Sequence, residues 1–109
     1  MTDKELLEFA AKSAGIELKW MTQIGNGVKP NEDFISNWHP LTDDGDALRL
    51  AVKLKISVFV AELLDEVEVG YFDNNSLMWA YLREHINNDQ YAATRRAIVR
   101  AAAEIGKTQ

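Results

Sequence analysis

Apolar residues recur every three or four positions near the start of the chain, which is the spacing of an amphipathic helix. Thr2 and Glu5 supply the T-x-x-E pattern of a capping box ahead of this segment. Gly15 stands where a helix commonly ends in the left-handed conformation. The pattern therefore predicts a helix over residues 3–14.

The clearest helix start lies in the middle of the chain, where Pro40 restricts the preceding residue to extended geometry. We expect Thr42 to be the N-cap of a helix that runs to about residue 54. Nearly half of its circumference is apolar, which predicts that the helix packs beneath other elements. Its main apolar stripe consists of Leu48, Ala51 and Val52.

A third helical pattern covers about residues 90–105. Gly106 is expected to end it, and its alanines allow close approach to whatever the helix covers. The inner stripe is expected to contain Tyr91, Ile98, Ala102 and Ile105.

After the central helix, the spacing of apolar residues changes from that of a helix to that of strands. Residues 56–63 are rich in β-branched and apolar side chains, and residues 66–72 alternate as a half-buried strand does. Leu64 and Asp65 would connect the two strands of this hairpin.

Residues 77–86 fit either a strand or a helix, because periodicity alone does not decide short apolar runs. We favour the strand, since the hairpin and the turn signal at 73–76 predict a three-stranded meander. As a strand, the segment places Trp79 and Tyr81 on one face of the sheet.

The least determined stretch lies between the first two helices. Residues 17–24 alternate loosely and predict a short strand, followed by a turn at Gly25-Asn26-Gly27. Residues 28–37 are expected to be a polar loop that covers an edge of the core, with Phe34, Ile35 and Trp38 packed against it.

These elements predict one domain, residues 1–109, of the α+β class. The expected architecture is a three-layer α/β/α sandwich, with about three helices around a small, mainly antiparallel sheet and a β-meander at 56–84.

Composition limits the kinds of site and the cellular compartment expected for this domain. Cysteine is absent from the sequence, which excludes disulfides and thiolate metal sites. Neither a membrane span nor a signal peptide is recognisable, so a cytoplasmic protein is expected. The net charge of −5 combines −7 over residues 1–88 (8 basic, 15 acidic) with +2 over residues 89–109 (4 basic, 2 acidic).

The acidic cluster Asp43, Asp44 and Asp46 is the weak candidate for a metal site, with His39 as a base or further ligand. Capping and compensation of the helix dipole explain all three aspartates without a metal. His39 and His85 are interpreted as partly exposed polar residues, because two histidines without cysteine do not make a closed zinc site.

Arg95, Arg96 and Arg100 on the last helix could neutralise phosphates. Three arginines on one helix are more often a solvated face paired with acidic neighbours, and Arg49 is expected to pair with Asp46 in the same way.

Aromatic residues are numerous for so small a domain, and most of them should lie in the core. Trp79 and Tyr81, if exposed together, would form a patch of the kind that binds proteins or stacks bases. Neither a nucleophile motif nor a phosphate-binding loop occurs in the sequence, so catalysis and a cofactor are not expected.

Three segments resemble one family, and together they cover about half of the chain. They are MTDKELLEFAAKSAGI at 1–16, WHPLTDDGDALRLAVKL at 38–54 and YAATRRAIVRAAAEIGK at 91–107. Their strings resemble the phage ABA sandwich domain, found in short proteins of tailed phages and prophages. The resemblance implies helices on both faces of a sheet and no established activity. His39 stands where the family pattern has Asn, and Lys55 where it has a glycine helix end.

The leading expectation is a non-enzymatic phage or prophage accessory protein that binds a host or phage protein, with modulation of host processes or defence as its role. Homodimerisation is a further expectation, and no membrane partner is foreseen. One alternative is a nucleic-acid-associated protein that uses the C-terminal arginines. Another is a small metal-dependent enzyme at the aspartate cluster.

Overall fold

The computed structural model describes residues 1–24, 27–30, 34–35 and 37–109. Within these residues the chain forms three α-helices and two three-stranded antiparallel sheets, in the strand orders β2-β1-β3 and β4-β5-β6. The elements are α1 (Asp3–Ala14), β1 (Trp20–Ile24), β2 (Gly27–Pro30), β3 (Phe34–Ile35), α2 (Asp44–Leu54), β4 (Ser57–Ala61), β5 (Glu66–Asp73), β6 (Met78–His85) and α3 (Gln90–Lys107).

Helix α1 has the predicted bounds and the predicted caps. The Thr2 hydroxyl accepts a hydrogen bond from the Glu5 amide, and the Glu5 carboxylate accepts one from the Thr2 amide. Gly15 takes the left-handed conformation at φ +69° and ends the helix. The local sequence signals therefore determine this element fully.

Helix α2 begins one residue later than predicted. Asp43, not Thr42, is the N-cap, and its carboxylate accepts a hydrogen bond from the Asp46 amide at 2.8 Å. Thr42 instead belongs to a turn in which the His39 carbonyl accepts from the amides of Thr42 and Asp43. The helix still ends at Leu54, because Lys55 adopts the left-handed conformation at φ +58°.

Helix α3 is the centre of the domain, and its buried side chains face α1, α2 and the β4-β5-β6 sheet. Gly106 does not end it. The helix continues to Lys107, and a Cβ at Gly106 would lie 1.9 Å from the Phe9 carbonyl oxygen. The glycine thus permits contact between the backbones of α3 and α1. Tyr91, expected on the inner stripe, is exposed at the start of the helix.

The β4-β5-β6 sheet is the predicted meander, and the ambiguous segment after the second strand is a strand. A short 3₁₀ helix, Glu62–Leu64, and Asp65 connect β4 to β5 in place of a two-residue turn. Val67 and Val69 of β5 are buried against α3. The residues of β4 and β6 that lie directly opposite Val67 and Val69 share this inner face. The side chains at the alternate positions of the three strands therefore lie on the opposite, outer face.

The stretch predicted as a polar loop contains two short strands. β2 pairs with β1 over Met21–Ile24, and β3 pairs with Trp20 and Met21. Ile35 and Trp38 are buried in the core as expected. The predicted turn at 25–27 and the side chain of Phe34 lie outside the described residues.

The α+β class, the three helices and the antiparallel meander are confirmed. Helix α3 lies between the meander on one side and α1 on the other. The outer face of the meander is therefore exposed. None of the helices described is both long enough and apolar enough to cross a membrane.

Candidate functional site

Three aromatic side chains of β5 and β6 lie together on the exposed outer face of the meander. Phe72 of β5 lies directly opposite Trp79 of β6, and Tyr81 lies two residues along the same strand. Their residues are 42%, 50% and 60% exposed, respectively. We name Phe72, Trp79 and Tyr81 the aromatic cluster. Trp79 and Tyr81, the two aromatic candidates from the sequence, both belong to it.

The rings of this cluster have defined positions. The centroids of Phe72 and Trp79 are 6.1 Å apart with an interplanar angle of 77°, which is an edge-to-face contact. Tyr81 lies against Gly70 on β5, where a Cβ would come within 2.9 Å of the Tyr81 ring. The glycine leaves space for the ring to lie close to the sheet. The cluster is thus exposed but held in place.

The other end of the outer face is charged. Arg83 of β6 lies 3.4 Å from Glu68 and 3.7 Å from Glu66 on β5. His85 Nδ1 lies 3.0 Å from the Asp65 carboxylate at the same end. The aromatic cluster therefore has ion-paired polar groups on one side, as a binding patch with a polar rim does.

The three candidate arginines of α3 are paired with neighbouring groups. Arg95 donates to Asp44 Oδ1 at 2.6 Å and to the Leu41 carbonyl at 2.9 Å, and its side chain is only 18% exposed. It therefore ties α3 to the start of α2. This position agrees with the interpretation that the arginines pair with acidic neighbours.

Arg96 and Arg100 converge on Glu84, whose side chain points from β6 toward α3. Arg100 donates to Glu84 Oε2 at 2.6 Å and to the Arg83 carbonyl at 2.9 Å. Arg96 donates to Asp3 of α1 at 3.0 Å and lies 3.8 Å from Glu84 Oε1. These guanidinium groups connect α3 to the sheet and to α1.

The aspartate cluster caps and braces the start of α2. Asp43 is the N-cap and Asp44 binds Arg95. Asp46 accepts from Arg49 Nη2 at 2.7 Å and from the His39 amide at 2.9 Å. The hydrogen bond from Arg49 is the main cause that lowers the pKa of Asp46 below its ordinary value of 3.8.

No group of three or more metal-ligating side chains occurs among the residues that the structure describes. His39 is exposed, and it contributes to the turn through its backbone. Its amide donates to Asp46, and its carbonyl accepts from the amides of Thr42 and Asp43. His85 lies at the end of β6, where its Nδ1 is 3.0 Å from the Asp65 carboxylate and not beside the aspartates of α2. Among the described residues, the two histidines and the aspartates therefore do not form one group of metal-ligating side chains.

Two grooves were not foreseen from the sequence. One, of about 410 Å³, lies between α2, β4 and α3 and is lined by Leu48, Val58 and Val60. The other, of about 350 Å³, lies beside α1 and includes Trp20 and Trp38 in its lining. Hydrophobic periodicity predicts which face of an element is apolar but not where two such faces leave a gap between them.

Comparisons with protein-family models, with curated proteins and with solved structures find no match to this chain. No relative therefore supplies a role for any residue. The resemblance of the three segments to the phage family stays a prediction, and the function is argued from the geometry of the described residues.

Proposed function

We propose that this protein is a non-enzymatic binding protein whose aromatic cluster contacts an apolar patch on a host or phage protein. The observation that carries the proposal is the joint exposure of Phe72, Trp79 and Tyr81 on one face of a sheet. Exposed apolar patches with a polar rim are typical of protein-interaction sites.

The residue types in the cluster suit this role. Tryptophan and tyrosine are enriched among the few residues that dominate binding energy at interfaces, since each buries a large area at a small cost in side-chain entropy. Here the Phe72–Trp79 contact and the close approach of Tyr81 to Gly70 limit ring motion before binding. Preorganisation of this kind increases affinity because less freedom is lost on association.

The resemblance to phage and prophage proteins suggests the biological setting of the proposal. In that setting the protein would act by occupying a surface of a host protein, and such binding requires no catalytic group. An apolar, aromatic surface on a stable α+β scaffold meets this requirement.

Nucleic-acid association is less well supported. Aromatic side chains on a sheet can stack bases, but such sites combine them with cationic groups that contact the phosphates. Arg95, Arg96 and Arg100 are bound to Asp44, Asp3 and Glu84. The net charge of −5 also opposes approach of a polyanion. The aspartate cluster, occupied by capping and ion pairs, gives the metal-dependent alternative no specific support.

The proposal is tested by capture from a bacterial lysate with tagged protein, washed at low and high salt and treated with nuclease. The wild type should retain a stoichiometric protein through both treatments, and Trp79→Ala and Tyr81→Ala should lose it. Tyr91→Ala is the control matched to Tyr81→Ala, because it removes the same tyrosine side chain from a position on α3, where the residue is 71% exposed. Retention by all three variants would contradict the role of the cluster, and recovery of nuclease-sensitive material alone would favour the nucleic-acid alternative.

A further inference from the structure

A second apolar surface lies along α2 and β4, at the edge of the meander opposite β6. Leu48 and Val52 occupy adjacent turns on one side of α2 and are 63% and 68% exposed, contrary to the packing expected of this stripe. Val58, Phe59 and Val60 of the neighbouring strand β4 are exposed as well. We name these five residues the lateral surface.

We propose that the lateral surface is a self-association site, in which β4 of one copy pairs antiparallel with β4 of a second copy about a twofold axis. The sheet order β4-β5-β6 leaves one edge of β4 without a neighbouring strand among the described residues. An open strand edge pairs readily with another strand, because its backbone N–H and C=O groups have no partners in the sheet.

The sequence of β4 is self-complementary in this arrangement. With the axis at Phe59, Val58 of one copy lies opposite Val60 of the other on the inner face, and the two Phe59 side chains meet on the outer face. All five residues of the strand then have partners. A twofold interface requires such a pattern, since the same patch must fit itself.

Charge complementarity favours the same orientation. Lys53 and Lys55 precede β4, and Glu62 follows it. In an antiparallel pair the start of one strand lies beside the end of the other, so the basic end of each copy meets the acidic end of its partner. A parallel arrangement would instead place like charges together.

The two edges of the sheet are protected differently. β6 carries Arg83, Glu84 and His85, and Arg100 donates a hydrogen bond to the Arg83 carbonyl. β4 contains neither a charged residue nor proline. Charges and covering side chains are the usual means by which an edge strand avoids pairing, and β4 has none within its length.

The lateral surface offers apolar area to a dimer interface. Its five residues are between 37% and 68% exposed. Together with the backbone edge of β4, they supply part of the roughly 800 Å² that each partner buries in a stable interface. The lateral surface shares no residue with the aromatic cluster, so either proposal can fail while the other holds.

Sedimentation equilibrium of the full chain tests the proposal at up to about 100 μM, where a complex with micromolar Kd is populated. The wild type should have twice the chain mass of 12.3 kDa, and Val60→Lys should have the chain mass. Tyr81→Lys, which adds the same charge to the other edge strand, should remain dimeric. A monomeric wild type, or a folded Val60→Lys that is still dimeric, would overturn the proposal.

Cysteine cross-linking tests the pairing of β4 between two copies even if Val60→Lys does not fold. The chain has no cysteine, so Phe59→Cys and Tyr81→Cys each introduce one thiol at residues that are 62% and 60% exposed on the same outer face. Directly opposed residues of antiparallel strands have Cα atoms about 4.5–5.5 Å apart, within the range of a disulfide. Under copper–phenanthroline oxidation, Phe59→Cys should form the covalent dimer at least tenfold faster than Tyr81→Cys. Equal rates would overturn the proposal.

Discussion

Phe72 and Trp79 face each other across β5 and β6 as a direct cross-strand pair, with ring centroids 6.1 Å apart. Their edge-to-face contact contributes about 0.5–1.5 kcal/mol beyond burial of area. It orients the Trp79 ring while leaving half of the residue exposed. A surface aromatic pair that is ordered but uncovered is the feature from which the proposed function follows.

Gly70→Ala is expected to displace the Tyr81 ring. The added methyl group would lie 2.9 Å from Tyr81 Cε1 and 2.7 Å from Ser57 Oγ, so at least one side chain must move. We expect a loss of about 1–2 kcal/mol in the free energy of unfolding. Tyr81→Ala should relieve part of this loss, and chemical denaturation of the two single variants and the double variant measures the coupling. Additive effects would show that the ring does not lie over the glycine.

Gly106→Ala should destabilise the domain more than Gly70→Ala does. The new Cβ would meet the Phe9 carbonyl 1.9 Å away, and backbone cannot give way as a side chain can. The expected loss in the free energy of unfolding is about 3 kcal/mol or more.

Gly15→Ala is the control for Gly106→Ala, since its Cβ would meet nothing within 4 Å. It should cost only about 1 kcal/mol, from the left-handed conformation alone. Urea denaturation compares the two variants, and equal losses would contradict the close contact between α1 and α3.

Lys55→Gly should stabilise the protein by about 0.5–1 kcal/mol. Lys55 ends α2 at φ +58°, where a side chain is strained and glycine is not. The gain is smaller than the strain, because glycine also increases the entropy of the unfolded chain. A higher urea midpoint at unchanged slope would confirm the gain in stability. A lower midpoint would show that the contacts of the lysine side chain stabilise the fold by more than its left-handed backbone destabilises it.

Asp46→Asn should weaken the start of α2 in a pH-dependent way. The pKa of Asp46 is lowered in the folded state, mainly by the hydrogen bond from Arg49, so the carboxylate stabilises the fold at pH values above its ordinary pKa of 3.8. This contribution is lost as the pH falls through the lower folded pKa. The variant should be less stable than wild type by about 1 kcal/mol at neutral pH, and the difference should shrink below pH 3.8. If the difference in the free energy of unfolding between the two proteins did not change with pH, the effect would not come from the charge of Asp46.

Much of the fold could be predicted because its signals are local. The capping box at Thr2 and Glu5 and the alternation along β5 each specify their own element. Pairing of Arg49 with Asp46 was also predictable, since the two residues lie three positions apart on one helix. The arginines of α3 pair with acids on other elements, which helical spacing does not identify. The strand assignment predicted that Trp79 and Tyr81 share one face of the sheet, but the sequence left open whether that face is exposed.

The remaining features depend on tertiary contacts that a local pattern does not encode. Asp43 and Thr42 are both good caps, and the turn formed by His39 selects the former. Gly106 looks like a helix end, yet it is a site of contact with α1. The spacing of apolar residues assigns Leu48 to the stripe that packs in the core, yet Leu48 is exposed. Spacing shows which face of a helix is apolar but not what covers that face.

The most direct test of the central claim is the affinity of the captured partner, once purified, for wild type, Trp79→Ala and Tyr91→Ala, measured by titration calorimetry. We predict that Trp79→Ala raises Kd by about 30-fold or more, which corresponds to the roughly 2 kcal/mol of a dominant interface residue. Tyr91→Ala should leave Kd within about twofold of wild type, and both variants should retain the wild-type fold. An unchanged Kd for Trp79→Ala would contradict the assignment of the aromatic cluster as the binding surface.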